Sequence, residues 1–320
     1  MSTKKLLTIG VLMDPINDIN TLKDSTFAMM LEAQRRGHTL YYMEQQHLYQ
    51  LDSITRAKVR PVQVTDSTEN WHTLGHNIDI ELQELDVVLM RKDPPFDLEY
   101  IYTTHLLEQA ERAGTLIVNR CSALRDYSEK LATALFPDLC PASLTSRSRE
   151  DFLNFLDSHQ DIIVKPLDGM GGASIFRIQQ NDPNKNVILE TLTNHESIFA
   201  MAQKFIPEIT EGDKRILVID GEAIPYALAR IPKKGETRGN LAAGGTGIGV
   251  ELSDNDYKIV ETVAPLLREQ GILFAGLDVI GNYLTEINIT SPTCIRELDK
   301  QYKINISAKL FDRIEQKLAV

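Results

Sequence analysis

The sequence predicts an α/β unit with a parallel sheet, followed by α+β units built from short antiparallel strands. Three observations support this prediction. Apolar runs alternate with helical patterns over the first 125 residues, which is typical of parallel strands connected by helices. An Asp-Gly pair at 220–221 separates two alternating apolar segments and indicates a hairpin. A further pair of apolar segments is joined by Gly-Asn at 281–282.

The first third predicts strand, helix and strand twice in succession. Asp24 or Ser25 caps the first helix, which Gly37 ends, and Gly114 ends the second. The segment Leu51–Asp79 is polar and is predicted to be an irregular excursion, and no function is assigned to it. The remaining predicted elements of this third are strands at Leu6–Met13, Thr39–Met43, Asp86–Met90 and Leu116–Asn119, and a helix at Tyr100–Ala113.

Two predicted strand ends in this third carry unusual residues, and ligands gather at such ends of open parallel sheets. One is Met13–Ile16 and the other is Met90–Asp97, where Arg91 and Lys92 precede a double proline. These cations suit a carboxylate grip, but a solvated loop with internal ion pairs explains them equally well.

The middle of the chain predicts a small α+β unit able to close over a ligand. Its predicted elements are helices at Leu124–Phe136 and Arg149–His159, extended segments at Pro141–Ser146, Ile162–Val164 and Ser174–Ile178, and a strand at Val187–Glu190. Lys130 lies on the first of these helices, and spacing alone gives it no role.

A glycine-rich loop follows the strand that Lys165 ends. Gly169, Gly171 and Gly172 occupy three of four positions, so the backbone can bend freely and approach a ligand closely. Successive exposed N–H groups in such a loop bind anions, and a neighbouring lysine adds positive charge, which suits nucleotide phosphates. A tight hairpin is the alternative, and the two common phosphate-binding signatures are absent from the sequence.

The last third carries two arginines, a glycine-rich loop and an acidic cluster. Arg215 and Arg230 lie on the two strands of the predicted hairpin, and guanidinium groups grip phosphate or carboxylate in a planar fashion. Residues 231–250 contain six glycines and Arg238, which favours a flap that closes over substrate more than a plain linker. A helix is predicted after Ser291-Pro292.

Asp278, Glu286 and Asn288 form the acidic cluster on the last pair of strands. Glu286 and Asn288 are two apart and share a face, while Asp278 lies on the paired strand among apolar neighbours. Hard oxygen ligands of this kind suit magnesium, which completes its octahedron with waters and phosphates. A polar outer face of a hairpin is the alternative, and the apolar surroundings favour the metal.

Composition limits the function classes. The chain has 320 residues, enough for two or three domains, of which 42% are hydrophobic and 25% charged. A net charge of −11 argues against a general nucleic-acid binder, and no apolar run approaches membrane-spanning length. Three scattered cysteines, Cys121, Cys140 and Cys294, form no C-x-x-C motif, which predicts neither a disulfide framework nor a zinc site and fits a reducing cytoplasm.

Several stretches together resemble the prokaryotic glutathione synthetases of the ATP-grasp superfamily, nearly from end to end. They are VLMDPI at Val11–Ile16, RKDPPFD at Arg91–Asp97, KPLDGMGGASIF at Lys165–Phe176, ARIPKKGETRGNLAAGG at Ala229–Gly245 and LTEINITSPTCIRE at Leu284–Glu297. The resemblance implies an ATP-grasp fold preceded by a Rossmann-like domain. It divides the chain into a substrate domain at 1–125, a lid domain at 126–205 and a catalytic domain at 206–320 that carries the flexible loop 231–250.

The resemblance also implies roles for individual residues. Arg215 and Arg230 would hold phosphate and the acyl group under attack, Arg238 would ride on the flap, and Asp278, Glu286 and Asn288 would carry magnesium, with manganese as a substitute. The residues implied for ATP are Lys130 and Lys165 at the phosphates, Gly169, Gly171 and Gly172 over them, Gln203, Lys204 and Ile206 at the adenine, and Asp213 at the ribose.

The implied reaction joins γ-glutamylcysteine to glycine with ATP as co-substrate, in a cytoplasmic homotetramer with no nucleic-acid or membrane partner. Two other functions stay open. Another ATP-grasp carboxylate–amine ligase, such as a dipeptide ligase, is disfavoured by the RKDPPFD and TSPTCIRE stretches. A non-catalytic nucleotide-binding module has no evident need for the acidic cluster.

Overall fold

The computed structural model describes residues 5–241 and 244–319, and three sheets organise these ranges. None of the helices in the described part of the chain combines the length and the apolar character needed to cross a bilayer.

The first sheet confirms the predicted parallel unit. Its centre has the order β2-β1-β7-β8, and these four strands are parallel. The helices α1 (Ser25–Arg35) and α2 (Leu98–Ala113) cross between them, and each begins where an aspartate, Asp24 or Asp97, accepts a backbone N–H. The strands are β1 (Thr8–Met13), β2 (Thr39–Met43), β3 (Leu48–Leu51), β4 (Ile54–Val64), β5 (His72–Leu74), β6 (Ile78–Glu81), β7 (Val87–Arg91) and β8 (Leu116–Val118).

The prediction that Leu51–Asp79 is an irregular excursion is wrong. Most of this segment is the antiparallel edge of the first sheet, where β4 pairs with β2, β3, β5 and β6. Along β4, Ala57, Val59, Val62 and Val64 are buried while charged residues between them are more exposed. This alternation is present in the sequence, but its lysine and arginine residues disguise it as a polar stretch.

The second sheet has four antiparallel strands in the order β11-β10-β12-β9. Helices α4 and α5 cover one of its faces, where Phe152, Leu156 and Leu189 pack on Ile162 and Val164. The elements from β8 onward are α3 (Cys121–Asp126), β9 (Ser143–Ser146), α4 (Arg149–His159), β10 (Asp161–Pro166), β11 (Phe176–Gln179), α5 (Lys185–Leu192) and β12 (Ala200–Lys204).

Two predictions in this region are wrong. The strand predicted at Val187–Glu190 lies inside α5, because Leu189 and Leu192 recur at helical spacing and are buried together. The helix predicted at Leu124–Phe136 ends at Asp126, and a separate 3-10 turn covers Leu131–Leu135. Between these two elements, Glu129 makes the tertiary contacts described below, which hold the chain out of a continuous helix.

The third sheet has five antiparallel strands in the order β15-β14-β13-β16-β17. Its strands are β13 (Asp213–Ile219), β14 (Glu222–Ile231), β15 (Thr246–Glu251), β16 (Phe274–Ile280) and β17 (Tyr283–Asn288), and the helices are α6 (Asp254–Glu269), α7 (Ile295–Tyr302) and α8 (Ile306–Lys317). The helix predicted after Ser291-Pro292 begins at Ile295. The end of the predicted loop 231–250 is not a loop, because Thr246–Val250 lie in β15 and pair with β14; residues 242–243 fall outside the described ranges.

Successive side chains along each strand point to opposite sides, so the third sheet has two different faces. Ile216, Val218, Leu277 and Val279 point into a core shared with α6. On the opposite face, apolar residues such as Leu217 and Phe274 pack toward the first sheet at one end of the strands. The other end of this second face carries the charged residues described next.

Candidate functional site

Strand register brings the charged residues of the third sheet together. Asp213 lies opposite Arg230, Arg215 lies opposite Asp278, and Asp278 lies opposite Glu286. Side chains directly opposite each other share a face of the sheet. Asn288, two residues after Glu286, extends the same row. The predicted cluster is therefore one continuous polar surface.

Two buried arginines neutralise the aspartates of this surface. Arg215 donates from Nε and Nη2 to both carboxylate oxygens of Asp278, and Arg230 Nη2 lies 2.9 Å from Asp278 Oδ2. Arg230 also donates to Asp213 Oδ2 at 2.5 Å. Burial opposes ionisation of Asp278, but the two guanidinium groups outweigh it and hold the pKa of that carboxyl well below its ordinary value.

The second sheet provides the opposite wall. Because Ile162 and Val164 face its own core, the alternate residues Ile163 and Lys165 face the third sheet, and Gln203 lies opposite Ile163. Lys165 Nζ donates to Glu286 Oε1 at 3.3 Å, which links the two sheets.

Lys130 joins the same contact from a third direction. Its Nζ lies 3.9 Å from Glu286 Oε1 and donates a 2.8 Å hydrogen bond to the carbonyl oxygen of Gly169. Burial alone would raise the pKa of the Glu286 carboxyl, but Lys130 and Lys165 lower it below its ordinary value. Both lysines are buried, so their charges act at low dielectric on whatever enters between the sheets.

The space between the sheets is a cleft lined by residues of both, among them Lys165, Gln203 and Glu286. A second cleft adjoins it and shares Met170, Gly171 and Asn240 as lining residues. Every residue that the sequence predicted for the site lines one of the two clefts. The second cleft holds Arg215, Arg230 and Asn288 together with Gly171, and the remaining predicted residues line the first.

Two buried polar atoms in the first cleft lack hydrogen-bond partners among the described residues, Gln203 Nε2 and Asp213 Oδ1. Buried polar atoms are normally satisfied, so these two are available to a water molecule or a polar ligand between the sheets. Burial, together with repulsion from Asp278 and Glu286, raises the pKa of Asp213 to about 7 against the opposing effect of Arg230.

Two of the three residues predicted to bind a divalent ion, Glu286 and Asn288, have oxygen atoms available to it. Within the described ranges, no three His, Cys, Asp or Glu side chains are grouped as a metal site. Asp278 is occupied by guanidinium groups, whereas Glu286 shares only Oε1 with lysines and Asn288 donates from Nδ2 to Gly276. Glu286 Oε2 and the Asn288 carbonyl oxygen are hard ligands that suit an ion coordinated mainly by phosphates and water.

The glycine loop and the segment around Arg238 meet over the first cleft. Arg238 Nη1 donates to the carbonyl oxygen of Gly172 at 3.1 Å. Gly172 has φ +83°, and a Cβ there would lie 2.6 Å from Asn240 Oδ1. Gly171 is also left-handed, with φ +64°. These positions therefore require glycine, and the loop is both a connection between paired strands β10 and β11 and a cover for the cleft.

Arg91 and Lys92 make internal contacts in the structure. Arg91 is buried and donates to Thr26 Oγ1 and to the carbonyl oxygen of Pro292, while Lys92 Nζ pairs with Asp14 at 2.7 Å. The stretch therefore makes internal contacts, through uncharged partners for Arg91 and through an ion pair for Lys92.

Sequence reasoning missed Glu129 and Asn240. Glu129 Oε1 accepts from the backbone of Ile289 and from both donors of Thr290, which fixes the Lys130 segment to the end of β17. Asn240 lines both clefts. No sequence motif marks Glu129, and its position next to Lys130 is the one feature that could have pointed to it. Asn240 lies in the glycine-rich loop 231–250, in which only Arg238 was singled out.

The comparisons with known proteins agree with this geometry. The family model described as "Prokaryotic glutathione synthetase, N-terminal domain" matches residues 7–125, and "Prokaryotic glutathione synthetase, ATP-grasp domain" matches residues 129–303. Relatives named glutathione synthetase include those of Vibrio vulnificus strain CMCP6, 58% identical, and Escherichia coli O127:H6, 53% identical. Each alignment covers 98% of this chain and 99% of the relative.

Solved structures share the fold at low sequence identity. The D-cycloserine synthetase DcsG aligns with a TM-score of 0.67 and 12% identity over 97% of this chain and 99% of that protein. The ATP-grasp ligase PsnB, complexed with precursor peptide PsnA2 and AMPPNP, aligns with a TM-score of 0.63 and 17% identity over 99% and 100%. These likenesses establish an ATP-grasp fold, whereas the full-length relatives go further: the chain belongs to the prokaryotic glutathione synthetase family.

Proposed function

We propose that this protein uses ATP to join γ-L-glutamyl-L-cysteine to glycine, with glutathione, ADP and phosphate as products. The observation that supports it most is the Lys165–Glu286 contact across the cleft between two sheets, in a chain whose relatives are glutathione synthetases over their full length. The family implies ATP and a divalent metal ion, and we propose magnesium, with manganese as a substitute.

The first cleft is the proposed ATP site. Gln203, Lys204 and Ile206 would hold the adenine, and the free Oδ1 of Asp213 suits a ribose hydroxyl. The buried cations Lys130 and Lys165 would hold the phosphates beneath Gly169, Gly171 and Gly172. Two buried lysines facing one glutamate leave positive charge for a polyanion, which supports this placement.

Glu286 and Asn288 would hold the metal, with Asp278 joining them where Arg215 and Arg230 release it. When bound there, a divalent ion neutralises charge on phosphate oxygens. Glu286 lines the first cleft and Asn288 the second, which supports a metal held between a nucleotide in one cleft and an acid in the other.

The second cleft would hold the dipeptide, with Arg215 and Arg230 beside its reacting carboxylate. A carboxylate oxygen attacks the γ-phosphorus of ATP and ADP leaves, giving an acyl phosphate. Glycine's amine then attacks the acyl carbon, a C–N bond forms, phosphate leaves with the C–O bond electrons, and the amine loses a proton. Arg238 and the glycine loop would exclude the water that destroys the acyl phosphate.

Three further properties rest on the resemblance. We propose domain limits at 1–125, 126–205 and 206–320, a cytoplasmic location, and assembly into a homotetramer. Light scattering of the purified protein tests the assembly directly.

The reaction is tested by incubating the protein with MgATP, γ-glutamylcysteine and glycine and measuring ADP, phosphate and tripeptide. We expect equimolar products. Release of ADP with two alanines but not with γ-glutamylcysteine would instead identify a dipeptide ligase. ATP binding without turnover of any donor would identify a binding module.

A further inference from the structure

Asp93 is a carboxylate of the second cleft that no donor satisfies. Among the described residues, nothing donates to its side chain, although its backbone is held on both sides. Its N–H donates to Asp14 Oδ2 at 2.9 Å and its carbonyl oxygen accepts from Lys92 Nζ at 2.8 Å. Pro94 and Pro95 follow and stiffen the chain. Asp93 is therefore a half-buried residue with a fixed backbone that lines the second cleft.

The other charged groups of this cleft already have partners. Arg215 and Arg230 are tied to Asp213 and Asp278. Glu129 uses Oε1 to accept three hydrogen bonds. Two carboxylates line the second cleft, those of Asp93 and Glu129. Among the described residues, nothing donates to either oxygen of Asp93, so both are available to a ligand.

The position of Asp93 fits one end of the proposed donor. The reacting carboxylate belongs to the cysteine residue and must face the first cleft, across the wall formed by Met170, Gly171 and Asn240. The glutamyl residue then extends away from that wall. Ser291, whose hydroxyl donates to the Arg91 carbonyl oxygen at 3.5 Å, and Asp93 lie at the strand end that receives it.

From this geometry we propose that Asp93 binds the α-ammonium group of the donor and selects a γ-linked glutamyl residue. This inference rests on the proposed function, because the donor is taken from it. Both linkages leave the α-ammonium free, but a γ-linkage places it farther from the peptide bond, and hence from the reacting carboxylate, than an α-linkage does. A fixed carboxylate in a partly desolvated cleft forms a charge-assisted hydrogen bond with that cation.

The test compares two donors that differ only in the ammonium group, γ-glutamylcysteine and N-glutarylcysteine. The ratio of their kcat/KM values is measured for the unmodified chain and for Asp93→Asn. Because the ratio is internal to each protein sample, partly unfolded variant does not distort it. We expect the unmodified chain to prefer the ammonium-bearing donor by roughly tenfold to a hundredfold, and the variant by about threefold or less.

Two further variants sharpen the result. Asp97→Asn alters a carboxylate of the same loop that caps α2 and lies outside the cleft, and asparagine caps as well, so its ratio should match that of the unmodified chain. An unchanged preference in Asp93→Asn, or its loss in Glu129→Gln instead, would overturn the Asp93 assignment. No turnover of γ-glutamylcysteine by the unmodified chain would overturn the proposed function itself.

Discussion

Lys165 and Glu286, 121 residues apart in sequence, meet at 3.3 Å across the cleft between the second and third sheets. Neither sheet alone contains both charges. A buried lysine with a single carboxylate partner attracts further anions, and a carboxylate with one free oxygen attracts a cation. The pair therefore lies where we propose that a metal-bound triphosphate binds.

Replacement of Glu286 by glutamine should abolish turnover without unfolding the protein. The substitution keeps the size of the side chain but removes the charge proposed to hold the metal, so we expect kcat/KM to fall by about 10³ or more. Steady-state ADP release measures the loss. The matched control is Glu190→Gln on α5, away from both clefts; retention of activity within a few-fold in Glu286→Gln would contradict the assignment.

Replacement of Gly172 by alanine should impair closure over the nucleotide. The new Cβ would meet Asn240 Oδ1 at 2.6 Å in a left-handed conformation. We expect a rise of about tenfold or more in the KM for ATP. Gly235→Ala is the control, because Gly235 has φ +86° but nothing within 4 Å of an added Cβ. The Asn240→Ala change should partly restore Gly172→Ala; absence of any rescue would show that the contact is not the cause.

Ligands should protect the chain from trypsin at Arg238. In the free protein Arg238 is only partly buried. Its side chain makes one bond to the glycine loop and a 2.7 Å ion pair with the neighbouring Glu236, to which its backbone N–H also donates. Such a segment opens at little cost in free energy, and bound nucleotide would hold it closed. Timed digestion with and without MgATP and donor measures the cleavage rate, and equal rates in both states would count against a closing role.

Loss of Glu32 should weaken the junction between α1 and α8 in a pH-dependent manner. Burial opposes its charge, but bonds from Arg35, Arg36 and Asn305 lower the pKa of Glu32 from 4.5 to about 2. Arg36 also pairs with Asp312 and Glu315 on α8. At pH 7 we expect Glu32→Gln to reduce the free energy of unfolding by about 2–3 kcal/mol.

The pH dependence of the stability that Glu32 contributes follows from its lowered pKa. The contribution of Glu32 is fully present above about pH 4.5 and is lost as the pH falls toward 2. Urea unfolding at several pH values should therefore show the gap between Glu32→Gln and the unmodified chain shrinking below pH 4.5. Glu69→Gln on an exposed loop is the control; a gap that stays constant down to pH 3 would contradict this explanation.

Local signals in the sequence determined much of the fold. Glycine after a helix, aspartate before one and Asp-Gly between alternating segments act within a few residues, so the crossover helices and the hairpin at 220–221 were predictable. The alternation in β14, β16 and β17 also placed Arg230, Asp278, Glu286 and Asn288 on strands. One predicted helix was wrong because a long-range contact decided the structure, since Glu129 binds the end of β17. The errors at β4 and α5 arose instead from local periodicity that the predictions did not recognise.

The sequence by itself therefore determined which residue types were available: buried acids on strands, a glycine loop beside a lysine, and a family resemblance that covers nearly the full chain. Only the tertiary structure decided which of them meet. Strand register set Arg215 against Asp278, and the approach of two sheets set Lys165 against Glu286. Periodicity determines which side chains of a strand share a face of their sheet. It carries no information about which face of another sheet packs opposite, and the cleft is formed by that packing.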